Sequence, residues 1–345
     1  MPAYACVVFS IIFLCSFAVV LVTASYVRLS GFILGYFESM DDPIDFRRFL
    51  KSYDWTRSTE ENHKCDTNCQ NIGKYSDIRD KLDHSFHTIY SAQRQMFQDE
   101  VLDSILGHPV IRDPISSETC KNTSQPWIVF TAGCMGAGKS WTIRHLNQRG
   151  DFPLEAFITV DPDAIRHRLP EYLTYVKLQP DQAGDLTRKE SGLLSEILTQ
   201  AALQRGHNVL VDGSLRDWKW YQEYFARLRT EYSSLRIAIL HITAPPDLIF
   251  IRATNRARQT GRVIPHNTLE ESIIQVPESI RRLSSLVDFY AQLHNAEHPD
   301  VLLQKPDDLT WKSFRENWKQ FCNAPQLSNQ IYRSKKMDMC SKINS

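Results

Sequence analysis

The sequence predicts an α/β three-layer sandwich built on a mainly parallel five-stranded sheet, preceded by a transmembrane helix and an amphipathic helix. Three observations predict it. From Trp127 onward, short apolar runs alternate with segments of helical period. Those runs are near-continuous in Val, Ile and Leu, as strands covered on both faces are. The first, Trp127-Ile128-Val129-Phe130-Thr131-Ala132, leads directly into Gly133-Cys134-Met135-Gly136-Ala137-Gly138-Lys139-Ser140 and then a helical segment from Trp141.

Strands are expected at 127–132, 156–161, 207–212, 236–243 and 300–304, with helices at 139–147, 163–169, 185–205, 217–231, 246–259 and 268–294. Repeated strand–helix crossovers make a doubly wound sheet, in which ligands sit beyond the carboxyl ends of the strands. The strand at 156–161 is taken as the neighbour of the first. Upstream, residues 5–24 carry no charge, and twenty helical residues span about 30 Å, enough for a bilayer core. Two readings stand for that segment. One is a single-pass anchor, with the domain in the cytosol on the strength of Arg28; the other is a signal peptide, with the domain lumenal or secreted. The expected organisation is 1–28 anchor or signal, 29–74 linker, 75–125 helical extension, 126–325 the α/β domain and 326–345 a tail.

Apolar residues recur at helical spacing from Ile78 to Leu106, which reads as one amphipathic helix whose His84, His87, Arg94 and Gln95 form a solvated face or else contribute to a site. His63, Cys65 and Cys69 are too few for a structural zinc set and read as loop thiols or a disulfide. Asn122-Thr123-Ser124 is a glycosylation sequon, with meaning only in a lumenal domain.

The loop at 133–140 is Gly, four residues, Gly-Lys-Ser: backbone N–H groups from Gly133 through Ser140 and Trp141 form a nest for phosphate oxygens at a helix N-terminus. Lys139 is expected to reach the β- and γ-phosphates of ATP, and the Ser140 hydroxyl to hold Mg²⁺. The second strand ends in Asp161-Pro162-Asp163, where a carboxylate can take the proton of an attacking hydroxyl. Asp163 reads either as that base or as a helix N-cap. The third strand ends in Asp212-Gly213-Ser214, followed by Arg216; Asp212 reads as a carboxylate acting through water on Mg²⁺, a sugar-hydroxyl ligand or a turn residue. Downstream, Arg252 and Arg256 share a helix face and Arg262 follows Gly261, as lid guanidiniums that meet the transferring phosphate would. Arg258 reads as solvated.

That ensemble, with Arg166, Pro170 and Glu196 added, resembles the zeta toxin family over about Pro126–His294. The resemblance implies a P-loop kinase that binds ATP and Mg²⁺ through Lys139 and Ser140, with Asp163 as base and Arg256 and Arg262 clamping the phosphate. It places Asp161, Glu196, Asp212, Ser214 and Arg216 on the acceptor side. Bacterial members act on the 3′-hydroxyl of UDP-N-acetylglucosamine, but carry Asn where this chain has Pro162, and Glu-Gly-Thr where it has Asp212-Gly213-Ser214. Asp212-Gly213-Ser214-Leu215-Arg216-Asp217 and Thr260-Gly261-Arg262-Val263-Ile264-Pro265 are similar to eukaryotic zeta-like proteins, and a toxin role does not suit an anchored chain.

The leading expectation is transfer of the γ-phosphate to a hydroxyl of a small molecule, with the membrane met through residues 5–24. A polynucleotide 5′-hydroxyl kinase needs a basic track, and 40 Lys+Arg against 40 Asp+Glu disfavours nucleic acid. A membrane-tethered ATP-binding protein without catalysis needs no base, which Asp163 argues against. No protein partner follows from the sequence.

Overall fold

The computed structural model describes residues 53–107, 111–112, 119–120, 125–261, 263–296, 299–305 and 310–314. The apolar span 5–24, the sequon at 122–124, Arg262 and the tail at 326–345 lie outside them. Among the described residues no helix is long and apolar enough to cross a membrane.

A six-stranded sheet organises the domain. Its strands are β1 (Trp127–Ala132), β2 (Phe157–Val160), β3 (Asn208–Val211), β4 (Arg236–Thr243), β5 (Phe289–Asn295) and β6 (Pro299–Lys305), in the order β2-β3-β1-β4-β5-β6. The first five run parallel and β6 pairs antiparallel with β5. All six residues of β1 are buried, as a central strand covered on both faces requires. The expected pairing of the first two strands is corrected: β3 lies between β2 and β1.

The helices are α1 (Thr59–His63), α2 (Ala92–Leu106), α3 (Lys139–Gln148), α4 (Pro162–Arg166), α5 (Tyr172–Leu178), α6 (Arg188–Gln204), α7 (Trp218–Glu231), α8 (Pro246–Thr260) and α9 (His266–Leu283). One sheet face packs Trp127, Val129, Leu240, Ile242, Phe289 and Leu293 against Ile143 and Leu146 of α3, with Phe152 and Phe314. Phe289 and Phe314 stack at 4.4 Å. Each such buried side chain contributes about 1.5–3 kcal/mol of transfer free energy. On the other face Phe130 meets Tyr221, Tyr224 and Phe225 of α7.

Two expectations fail. The helix expected at 268–294 ends at Leu283, and 289–295 is β5; the helix expected at 78–106 is only α2 plus a turn at Ser76–Arg79. In 289–295 apolar residues recur densely enough to fit either period and sheet pairing decides, whereas 80–91 is a turn held by its own hydrogen bonds around Asp83.

Of the four residues read as a solvated face, His84 is exposed as expected, but His87, Arg94 and Gln95 are buried. Arg94 of α2 donates from Nε and Nη2 to Glu190 at 2.7 and 2.9 Å, and from Nη1 and Nη2 to Glu171 at 2.9 and 3.0 Å. His63 joins Glu171 at 2.8 Å, and Gln98 donates to Glu190 at 2.9 Å. Burial raises the Glu171 carboxyl, but the charges of Arg94 and His63 and their hydrogen bonds outweigh it and bring it down to about 2. Thus the segment from Ser58 to Leu106, part of which reads as linker, is tied to α6 by buried charge. Cys65 and Cys69 form a disulfide within it.

Candidate active site

The phosphate loop joins β1 to α3. Gly138 is the N-cap of α3 at φ 85°, and a Cβ there would fall 2.2 Å from Asn295 Nδ2. Gly136, at φ 91°, has the Ile249 carbonyl oxygen 2.4 Å from where its Cβ would stand. Only glycine fits either position, so the loop keeps its backbone N–H groups uncovered. Asn295, at the end of β5, donates to the Ala137 carbonyl at 2.9 Å, and Gly133 donates to the Ser214 carbonyl at 3.3 Å. Cys134 is buried beneath the loop, which pushes its thiol up. Lys139 Nζ lies across the loop, donating to the Gly133 and Cys134 carbonyls at 3.1 and 3.3 Å. Met135 and Trp141 face the open side, and the Trp141 ring stacks on His145 at 5.0 Å.

Val160 pairs with Val211, so Asp161 and Asp212 leave the sheet side by side. Asp161 caps α4, its Oδ1 accepting from the Asp163 N–H at 2.8 Å. The N-cap reading of Asp163 is corrected: Asp161 is the N-cap, and Asp163 lines the cleft. There it is paired with Arg166 of α4 and, at 3.1 Å, with Arg256 of α8. Burial, then the Asp212 charge, raises the Asp161 carboxyl.

Asp212 accepts from Thr131 Oγ1 at 2.7 Å and from Ser140 Oγ at 2.9 Å. Its carboxylate is therefore on the phosphate-loop side. Hydroxyl and carboxylate together make a hard oxygen donor pair, and the crowding of Asp161 with Asp212 is what a cation would relieve. Among the described residues no cluster of three or more His, Cys, Asp or Glu could hold a metal alone; a cation held by Ser140 and Asp212 would need phosphate and water to complete its shell. The cradle and this pair fit a triphosphate with Mg²⁺.

Lys139, Ser140, Asp161, Asp163, Asp212 and Arg256 line one open cleft of about 790 Å³. Ser214 and Arg216 enter it from the loop after β3, and Glu196 from α6. Arg252 reaches it too, but spends its guanidinium on the Asn295 and Ala296 carbonyls at 3.2 Å each. Arg258 is exposed and does not line it. Leu215, buried between Ser214 and Arg216, takes φ 51°, a left-handed conformation that a branched side chain adopts only where packing enforces it. Sequence reasoning missed Thr131 and Asn295. The β-branched Thr near the end of the first strand was the one available signal; Asn295 was hidden by reading β5 as helix.

No curated protein sequence matches the chain. The zeta toxin family model matches residues 113–296, more than half of it. In fold it is similar to a chain of the PezAT chromosomal toxin–antitoxin system of the human pathogen Streptococcus pneumoniae, with TM-score 0.50 and 16% identity, covering 74% of this chain and 97% of that one. It is similar also to AvrRxo1-ORF1:-ORF2 with ATP, with TM-score 0.50 and 15% identity, covering 79% and 84%. At these identities the likeness is one of fold. The family match, on a cleft built around the phosphate loop, makes the chain a member of the zeta toxin family and a P-loop kinase.

Proposed function

We propose that this kinase moves the γ-phosphate of ATP to a hydroxyl of a small molecule, a nucleotide-sugar being the acceptor that the family implies. The observation that carries the reading is Asp163, 30% exposed and facing the cleft, held between Arg166 and Arg256. The solved AvrRxo1-ORF1:-ORF2 with ATP supports ATP as the donor.

In this reading the N–H groups at the start of α3 and Lys139 bind and orient the β- and γ-phosphates. Ser140 and Asp212 would hold Mg²⁺, which offsets charge on the transferring phosphoryl group. The 2.9 Å contact between them supports moving Asp212 from the acceptor side to the metal side. Asp163 takes the proton of the acceptor hydroxyl, and Arg256, freed from Asp163 as acceptor enters, meets the phosphoryl oxygens; Arg262 is assigned the same task. Asp161 holds the turn that aims Asp163, while Glu196, Ser214 and Arg216 bind the acceptor. The test is incubation with γ-labelled ATP and a small-metabolite extract. Label on a metabolite with wild type, and not with Asp163→Asn, supports the reading; label-free metabolites beside bound ATP refute it.

For location, the apolar run 5–24 supports a membrane anchor or a signal segment. The Cys65–Cys69 disulfide supports the secretory side over the cytosol, because such bonds persist in oxidising compartments. A mobility shift of the expressed protein on glycosidase treatment, lost in Asn122→Gln, tests that placement.

A further inference from the structure

We infer that the N-terminal extension, which lies outside the family match, builds the acceptor end of the cleft: Phe86 is a wall of it and His87 is the positioning residue for Glu196. The inference rests on the phosphotransfer reading above. The turn at 80–91 is internally fixed. Asp83 Oδ1 accepts from the Ser85 N–H and hydroxyl at 2.9 and 2.6 Å, and the His87 N–H donates to the Asp83 carbonyl at 2.8 Å. That fold drives two adjacent aromatic side chains to opposite fates.

His87 is 3% exposed, with Nε2 3.0 Å from Glu196 Oε1. Its Nδ1 is buried with no hydrogen-bond partner among the described residues. A buried imidazole with one nitrogen unsatisfied is held there for what the other nitrogen does. Here that is to fix one oxygen of Glu196. The second oxygen stands 4.0 Å from Arg227, beyond hydrogen-bond reach, and keeps its capacity to accept from a ligand.

Phe86 is 51% exposed, edge-on to the His87 ring at 4.8 Å, and lines the cleft. Trp220 is 42% exposed in the same cleft and stacks on Tyr224 at 4.8 Å. Tyr221 lines the same cleft, and burial, then the Asp217 and Glu196 charges, pushes its phenol up to about 12. Phe86, with Lys189 Nζ 5.5 Å over its ring, and Trp220 are both half-exposed and share the cleft with the fixed carboxylate, which suits a flat or cyclic group whose hydroxyls or amide N–H donate to Glu196: a sugar or nucleoside ring. Arg188 and Arg216 in the same cleft suit an anionic substituent on it.

The test uses the full chain and the acceptor recovered by dephosphorylating the main labelled metabolite. Phe86→Ala is expected to raise the KM for that acceptor at least tenfold and to change the relative labelling of the extract's products, with the KM for ATP within threefold of wild type. His87→Ala is expected to lower kcat/KM for the acceptor about tenfold, and His87→Gln, whose amide can still donate to Glu196, to restore part of it. Should His87→Ala melt early, the exposed Phe86 and the Gln variant decide the matter alone. Wild-type acceptor KM and product pattern in Phe86→Ala, or a His87→Gln no better than a folded His87→Ala, would overturn the inference and leave phosphotransfer standing. A wild-type protein that labels no metabolite would remove both.

Discussion

Asp163 carries the most consequence of any single side chain, because the N-cap of α4 is supplied by its neighbour two positions back. One carboxylate orders the turn and the other is left for chemistry. Asp163→Asn keeps the volume and loses the base; kcat is expected to fall about 10²–10⁴-fold, the usual contribution of a positioned base. Lys139→Ala removes a preorganised cation from the phosphates, and a loss of about 10²–10³ in kcat is expected, with weaker ATP binding by calorimetry. Asp212→Asn removes the charge beside Ser140. The Mg²⁺ concentration for half-maximal rate is expected to rise about 10–100-fold, the range for altered metal surroundings, while saturating ATP restores little. An unchanged Mg²⁺ requirement would return Asp212 to the acceptor side.

At the scale of elements, α2 and α6 are joined through Arg94, which faces two buried carboxylates. Arg94→Ala leaves Glu190 buried with only the Gln98 amide and Glu171 with only His63, and a loss of about 3–5 kcal/mol in urea unfolding is expected. The same contact sets an acid limit. Both carboxyls are lowered in the fold, Glu171 from 4.5 to about 2, so their stabilisation is complete above pH 4.5 and disappears as pH falls toward 2. Unfolding midpoints at pH 6 and pH 3 are expected to diverge in wild type, and less so in Arg94→Ala. This ion network was not legible in the sequence. Arg94 sits four residues from Gln98 on a helix face whose carboxylate partners come from 77 and 96 residues away, and no local period reports that. By contrast, β1, the phosphate loop and the carboxyl ends of β2 and β3 were legible, because apolar runs ending in Gly or Asp have few other uses. The strand at 300–304 was legible too and is β6, but β5 was read as helix and the order β2-β3-β1 was not legible, since strand order depends on crossovers rather than composition.

For the molecule as a whole, the family match opens at residue 113, yet the described fold from Ser58 onward is one compact unit. A chain trimmed to begin at residue 113 strips α2 from α6 and uncovers Glu171 and Glu190. It is expected to be insoluble, or to melt at least 10 °C below the chain that keeps residues 58–112, by scanning calorimetry. A trimmed chain of equal stability would make the extension an accessory rather than part of the domain.

The most direct measurement is single-turnover transfer from γ-labelled ATP to the recovered acceptor, with wild type and Asp163→Asn at matched ATP occupancy. The expected result is a rate constant at least 10²-fold lower in the variant, with an ATP dissociation constant within threefold of wild type. Equal rate constants in the two proteins would contradict proton transfer to Asp163, and with it the phosphotransfer chemistry assigned to this cleft.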